Sequence, residues 1–548
     1  MVPVLAHTWD QRYEALHLAQ IMDDADFHRW LLQWAALEAE IYEQNTALMR
    51  AFQADTTDEE AKLARQVFLT QQAPHLREQH DRTAQQAIQL GQTFKIPPDW
   101  QQTFLYFEIM ARQALDPAGH LESQVEVIAG DLTALFARRT YELDGQALSA
   151  QEVGRRSTSP DREVRRAAAL STRESLLRIA PQVAAKYRAS LELRRELARR
   201  SGEKTVHSHM WKLLERFDYT PQEVRQFRAD VRTGLNPLLV EFRDKRRTWL
   251  GVEHLQPWDL TVDAFGARAV PRSTQEADIM ALAARRLDTT LLGLGQRVAQ
   301  LYAEGYLDVA SRPGKAARSY SDFLAHRRRP YVQTSLQPTP GSYQVLFHEL
   351  GHVAQLSGVA LDASFWQYFP GVEMREFVAQ VFELWSLDQL PEFFAFENFE
   401  AYRARFYEQT LARISAQCSM DEFQEWFYTT PEEVTFTRMQ EVWQEISDRY
   451  PSGVERRSLP SLAFLSQQLA RRPLIGIEYA LAWGWAFSFM ENVAQDSGQA
   501  FGQLAQALAL GNTRPLPELL QIAGVEFSIS SQQLRLIDTT MRRALLPI

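Results

Sequence analysis

The chain has 548 residues, 45% of them hydrophobic and 23% charged, which is enough for a large buried core and too long for one small domain. Its formal charge of −10 argues against nucleic acid as a main partner, and basic runs such as Arg327-Arg328-Arg329 read as solvated faces. A single cysteine, Cys418, excludes an internal disulfide, no apolar run reaches the roughly 20 residues that span a bilayer, and the start MVPVLAHTWDQRYEALH does not read as a signal peptide, so a cytoplasmic protein without a membrane partner is expected.

In chain order, FHRWLLQWAALEAEIYEQNTALMRAF (27–52) places apolar residues three and four apart and predicts a helix. Similar patterns predict helices within 55–95, 102–140, 160–201, 220–250 and 275–305. RTYELDGQALS (139–149) predicts a hairpin on the turn Asp144-Gly145, and SAQEVGRRSTSPDREVRRAA after it reads as helix, turn, helix. RPYVQTSL (329–336), bounded by Pro330 and Pro338, predicts a short strand near a sheet edge. PTPGSY (338–343) is a loop, and a helix should start soon after it. The fold class is therefore mainly α, with a small β-sheet. The organisation read from sequence is an N-terminal helical region with a short hairpin over 1–165 and a second region over 166–548.

The helix expected after that loop carries VLFHELGHVAQL (345–356). Positions i and i+4 share a helix face, so His348 and His352 can reach one metal ion. Zinc suits neutral imidazole nitrogens, and catalytic zinc keeps three protein ligands and an open position for water. Glu349 adjoins the first histidine and can take a proton from that water. The apolar flanks are helix-compatible, and Gly351 is expected to leave room beside a metal. Downstream, GVEMREFVAQVFELW (371–385) reads as a helix with Glu376, Gln380 and Glu383 on one face. Glu376 is a candidate third ligand and Glu373 competes with it.

These segments resemble peptidase family M3, in particular its oligoendopeptidase branch that includes Pz-peptidase. HELGHVAQ and EFVAQVFELW (376–385) carry most of the resemblance. GKAARSYSDFLAHRRRPYVQTSL (314–336), MDEFQEWFY (420–428) and IEYALA (477–482) extend it. The resemblance implies one Zn2+ per chain on His348, His352 and Glu376, with Glu349 as general base and acid. It implies two helical lobes enclosing a deep channel that admits short peptides. It also implies that the strand Tyr331, Val332 and Gln333 receives an extended substrate.

The sequence departs from the family near its C-terminus. Gln468 stands where the family has a histidine, Gly476 where it has a tyrosine, and Gln344 where it has an acidic residue. Tyr479 survives and is the expected oxyanion donor. Arg471 and Arg472, or one of Arg327 to Arg329, are candidates to hold a substrate C-terminus. The expected activity is hydrolysis inside short oligopeptides. The alternatives are trimming from the C-terminal end and a non-catalytic peptide-binding relative. The His-Glu-Ser-Gln stretch of the helical carboxypeptidases is absent.

Overall fold

The computed structural model describes residues 2–113, 120–143, 145–262, 264–316, 318–455 and 459–545. Helices dominate it, and contacts divide the chain into two units. The first is built from Met1–Ala118, Ala269–Ala395 and Trp485–Phe527, the second from Gly119–Arg268, Phe396–Gly484 and Ser528–Ile548. The boundary read near residue 165 falls inside the continuous helix Arg162–Arg200. No helix among the described residues is long and apolar enough to cross a membrane.

In the first unit the long pattern at 27–52 is the helix Asp24–Ala54, capped by Asp23, whose side chain accepts from the Asp26 N–H. The stretch 55–95 is broken where Pro74 supplies no N–H: Glu59–Val67, a π-turn Phe68–Gln72, then Ala73–Gly91. These helices bury an aromatic cluster of Trp34, Trp100 and Phe107, and Trp366 packs into it with ring centroids 4.7, 5.6 and 5.0 Å away. Gln367 adds two bonds from its Nε2 to Asp99, at 3.0 Å to the carbonyl and 2.9 Å to Oδ2. The N-terminal helices thus clamp the short turn Phe365–Tyr368, which lies between the helices Pro340–Gly358 and Val372–Leu387.

One buried acid helps tie these helices together. Glu38 Oε1 accepts from Tyr13 Oη at 2.6 Å and Trp34 Nε1 at 2.8 Å, and lies 2.9 Å from His80 Nδ1. Glu38→Ala leaves these polar groups without their acceptor and should lower stability by about 3 kcal/mol, with Glu38→Gln recovering part. The midpoint of thermal unfolding checks this, and equal midpoints for Glu38→Ala and wild type would refute it.

A three-stranded sheet in the same unit has the order Leu307–Asp308, Arg329–Gln333, Tyr320–Leu324. The strand at 329–333 therefore lies in the centre, not near an edge. It runs parallel to the first strand (Leu307↔Val332) and antiparallel to the third (Tyr320↔Gln333, Leu324↔Arg329). Val332 and Thr334 donate toward the Leu307 side, so Pro330, of the same parity, points its missing N–H where that short neighbour has not begun.

The second unit contains the hairpin, paired Tyr141↔Leu148 and Leu143↔Gln146, with Gly145 at φ +74; Asp144 lies outside the described residues. The helix–turn–helix after it is Ala150–Ser157 and Arg162–Arg200. The stretch 220–250 is divided by a π-turn, Val231–Leu235, followed by Pro237. Buried ion pairs hold this unit, including Arg246 Nη2 to Glu408 Oε2 at 2.7 Å and Arg216 to Glu478. Cys418 is buried, and burial pushes its thiol pKa up.

Candidate metal centre

Two helices build the site. The histidine helix is Pro340–Gly358, started by Thr339, whose side chain accepts from Ser342 N, and by a proline in its first turn, where no N–H is needed. The glutamate helix is Val372–Leu387, buried along nearly its whole length. They pack very closely at Gly351. A Cβ there would lie 2.7 Å from Ala379 Cα and 3.1 Å from the Val378 carbonyl oxygen. Gly351 therefore makes room for the backbone of the second helix, rather than beside a metal as its position suggests. Gly351→Ala must push the helices apart. It should cost about 1–3 kcal/mol and weaken zinc binding, because Glu376 sits one turn from Ala379. A competition titration against a chelating dye checks this; wild-type zinc affinity in the variant would contradict it.

This packing brings His348, His352 and Glu376 together, with one possible ligand atom from each all within 4.8 Å of one another. His348 Nε2 lies 3.5 Å from Glu376 Oε2, and His352 Nε2 lies 3.9 Å from Glu376 Oε1. Ligand atoms around tetrahedral zinc, with bonds of roughly 2.0–2.1 Å, stand about 3.3 Å apart. The observed spacings resemble a coordination shell more than direct hydrogen bonds, so the donor set fits a zinc ion. Glu373 is buried on the first turn of the glutamate helix and is not part of this cluster.

Charge points the same way. Burial pushes His348 down, but Glu383, Glu376 and Glu349 outweigh it and hold this imidazole up at about 9. Burial, then the charge of His348, holds His352 well below its ordinary value. Three carboxylates gathered around two imidazoles make a site that favours a cation.

Glu383 was read from the sequence only as a member of the Glu376 face. In the structure its Oε2 lies 3.1 Å from His348 Nδ1. Accepting a hydrogen bond from Nδ1–H leaves Nε2 as the lone-pair nitrogen and fixes the ring. Glu383→Ala should reduce zinc affinity about ten- to a hundredfold, measured by the same dye competition. An unchanged affinity would deny Glu383 that role.

Glu349 is buried, and its Oε2 has no hydrogen-bond partner among the described residues. Burial, helped by Glu376 and opposed by His348, raises its pKa to about 7. A carboxyl poised there can accept a proton from water and release it again.

The other sequence-predicted residues lie on the following elements. Tyr331, Val332 and Gln333 lie in the central strand and are buried. Val332 and Gln333 have strands paired on both sides, which corrects the expectation that this strand receives a substrate. The strand Tyr320–Leu324 is the outer one, and no further strand pairs with it among the described residues. Arg327 Nε is 3.0 Å from Glu43, and Arg329 Nε is 3.3 Å from Glu304. Tyr479 is half-buried in the second unit on the helix Ile477–Gln495, and Arg471 and Arg472 are exposed at the end of Gln468–Arg471. Gln344 is buried on the histidine helix.

Solved structures share this fold. Pz peptidase A with inhibitor 2 superposes with a TM-score of 0.86 at 18% identity, over 99% of this chain and 97% of that one. A putative oligoendopeptidase F from Bacillus anthracis str. Ames gives 0.83 at 17% identity, over 100% and 96%. No curated protein matches significantly by sequence. The sequence profile described as peptidase family M3 matches residues 157–273 and 291–535, well over half of the chain and including the whole histidine and glutamate helices. The chain thus belongs to peptidase family M3, and its activity is peptide hydrolysis.

Proposed function

We propose that this peptidase cleaves internal bonds of short oligopeptides, with one zinc ion per chain on His348, His352 and Glu376 and with Glu349 as general base and acid. The convergence of two imidazoles and a carboxylate beside a buried glutamate carries this reading. Bound zinc supplies Lewis-acid polarisation of the scissile carbonyl and lowers the pKa of water. Glu349 takes the proton of the attacking water on its enclosed Oε2 and delivers it to the departing amine. Glu383 holds the His348 ring in place.

An extended peptide is better received by the outer strand Tyr320–Leu324 than by the central one. The register places the Ser321 backbone groups on the unpaired side of that strand, and Ser321 is near enough to Glu349 to oppose the rise of its pKa. From the family resemblance, Tyr479 is proposed as an oxyanion donor, and Arg471 and Arg472 as contacts for a substrate carboxylate. Region 166–548 is proposed as the catalytic region, with the helices of 1–165 supporting the turn Phe365–Tyr368. A cytoplasmic location is proposed from the single buried cysteine. The retained Glu349 disfavours a purely binding role.

The test combines metal analysis of the purified protein with cleavage of quenched fluorescent peptides, with and without chelator. Products cut at internal bonds, lost on chelation and restored by zinc, are expected. Metal-independent cleavage would overturn the proposal, and products only one or two residues long from the C-terminal end would replace it with trimming.

A further inference from the structure

The second unit contains a cavity of about 650 Å³, whose lining includes no residue of the metal centre. It lies between the helix His120–Ala137, the helix Arg162–Arg200 and residues 459–467. Pockets for small ligands span roughly 300–1,000 Å³, so the size suits one. Phe136, Leu176, Leu260 and Leu465 give it apolar walls. The wall at 459–467 is tied to the long helix. Tyr187 Oη donates to the Ser466 carbonyl at 2.6 Å and accepts from the Ser466 N–H at 2.8 Å, and Arg173 Nη1 donates to the Pro460 carbonyl. The cavity is thus formed before a ligand arrives, and binding need not order its walls.

Two guanidinium groups, Arg139 and Arg173, line this cavity, and no carboxylate does. Neither arginine forms an ion pair among the described residues. Arg139 Nε donates to the Phe136 carbonyl at 3.0 Å, and its guanidinium lies over the rings of Phe136 and Tyr141, 5.4 and 5.6 Å from their centroids. These rings hold the guanidinium while both Nη groups have no acceptor among the described residues. Arg173 keeps Nε and Nη2 in the same condition. Both side chains are only half-buried, and their spare nitrogens are open rather than enclosed, so a ligand can reach them. By contrast, Arg327 and Arg329 are paired with Glu43 and Glu304.

Two uncompensated positive charges beside apolar walls suit an anion with an apolar body. The fork of a guanidinium matches the two oxygens of a carboxylate. The activity of the chain supplies such a ligand, because every cut peptide bond leaves a peptide with a new C-terminal carboxylate. We infer that this cavity binds a short peptide by its free C-terminal carboxylate, held by Arg139 and Arg173, with an apolar last side chain against Leu176 and Leu260. The inference rests on peptide hydrolysis as the activity, and not on the assignment of the zinc ligands.

The test titrates acetyl-dileucine, as free acid and as amide, into the full chain carrying Glu349→Gln, with calorimetry as the readout. The acid should bind about ten- to a hundredfold more tightly than the amide. Adding Arg139→Gln should bring that ratio toward one, and Arg139→Lys should restore part of it. Ala169→Trp, which fills the cavity without changing either arginine, should also remove the preference. Arg173→Gln should act as Arg139→Gln does; if loss of the Pro460 contact unfolds it, Arg139→Gln and Ala169→Trp decide. Equal binding of acid and amide to the Glu349→Gln chain, or an unaltered preference in folded Arg139→Gln and Ala169→Trp, overturns the inference. Inorganic phosphate binding as tightly as the acid overturns the assignment to a peptide. With Glu349 intact, a quenched peptide acid whose KM is below that of its amide, a difference lost in Arg139→Gln, identifies the substrate's own end as the occupant. Equal KM values beside a retained acid preference in calorimetry identify released product. Metal-independent cleavage would remove the zinc reading and leave this inference standing.

Discussion

Glu349→Gln should lower kcat on a good peptide by about a hundred- to ten-thousandfold while zinc content stays at the wild-type level. The amide has the shape of the carboxylate but cannot take a proton from water or pass one to the leaving amine. The site makes a clean comparison, because Glu349 is buried and raised to about 7 by burial first of all. Removing an acid from such surroundings should leave the unfolding temperature unchanged or higher, since a buried carboxylate is costly to ionise. Single-turnover rates, metal analysis and thermal unfolding on the same preparation check all three parts. Turnover within tenfold of wild type in a zinc-loaded variant would assign proton transfer to another group.

Glu376→Ala should cost more in metal binding than any other single change to the glutamate helix. It removes the carboxylate that faces both imidazoles, at 3.5 and 3.9 Å. Two histidines alone are an incomplete shell for catalytic zinc, so affinity should fall by more than the ten- to hundredfold expected of Glu383→Ala. Activity should drop to background at ordinary zinc concentrations. Thermal unfolding gives an independent reading. Zinc that binds only the folded protein stabilises it by about 4 kcal/mol at a thousandfold excess over Kd. That zinc-dependent shift should be present in wild type and absent in Glu376→Ala. Full zinc occupancy in the variant would mean that another carboxylate closes the shell.

The parts of this site legible in the sequence are those set by a single element. Two histidines four apart face one way on any helix, and the apolar flanks around 345–356 guarantee that helix. The same periodicity put Glu376, Gln380 and Glu383 on a common face. It could not say which of them meets a metal and which meets an imidazole, because that depends on the angle and closeness of a second helix. Gly351 set that closeness, and its role was misread because a glycine on a helix does not announce what packs over it. The strand at 329–333 was misplaced for a similar reason. Its flanking prolines signal an interrupted ladder, and the interruption comes from a short parallel neighbour rather than from solvent.

Local order along the chain is sufficient for a mainly helical fold and for the chemical character of its site. Helix periodicity, the spacing of His348, Glu349 and His352, and the matched segments of a known family are all written in local order. Only the packing of distant segments shows which strand is the outer one, that Glu383 steadies His348, and that Trp366 and Gln367 are held by the first hundred residues. Each of these depends on groups far apart in the chain meeting in the folded core, and side-chain spacing along one element carries no record of what lies across from it.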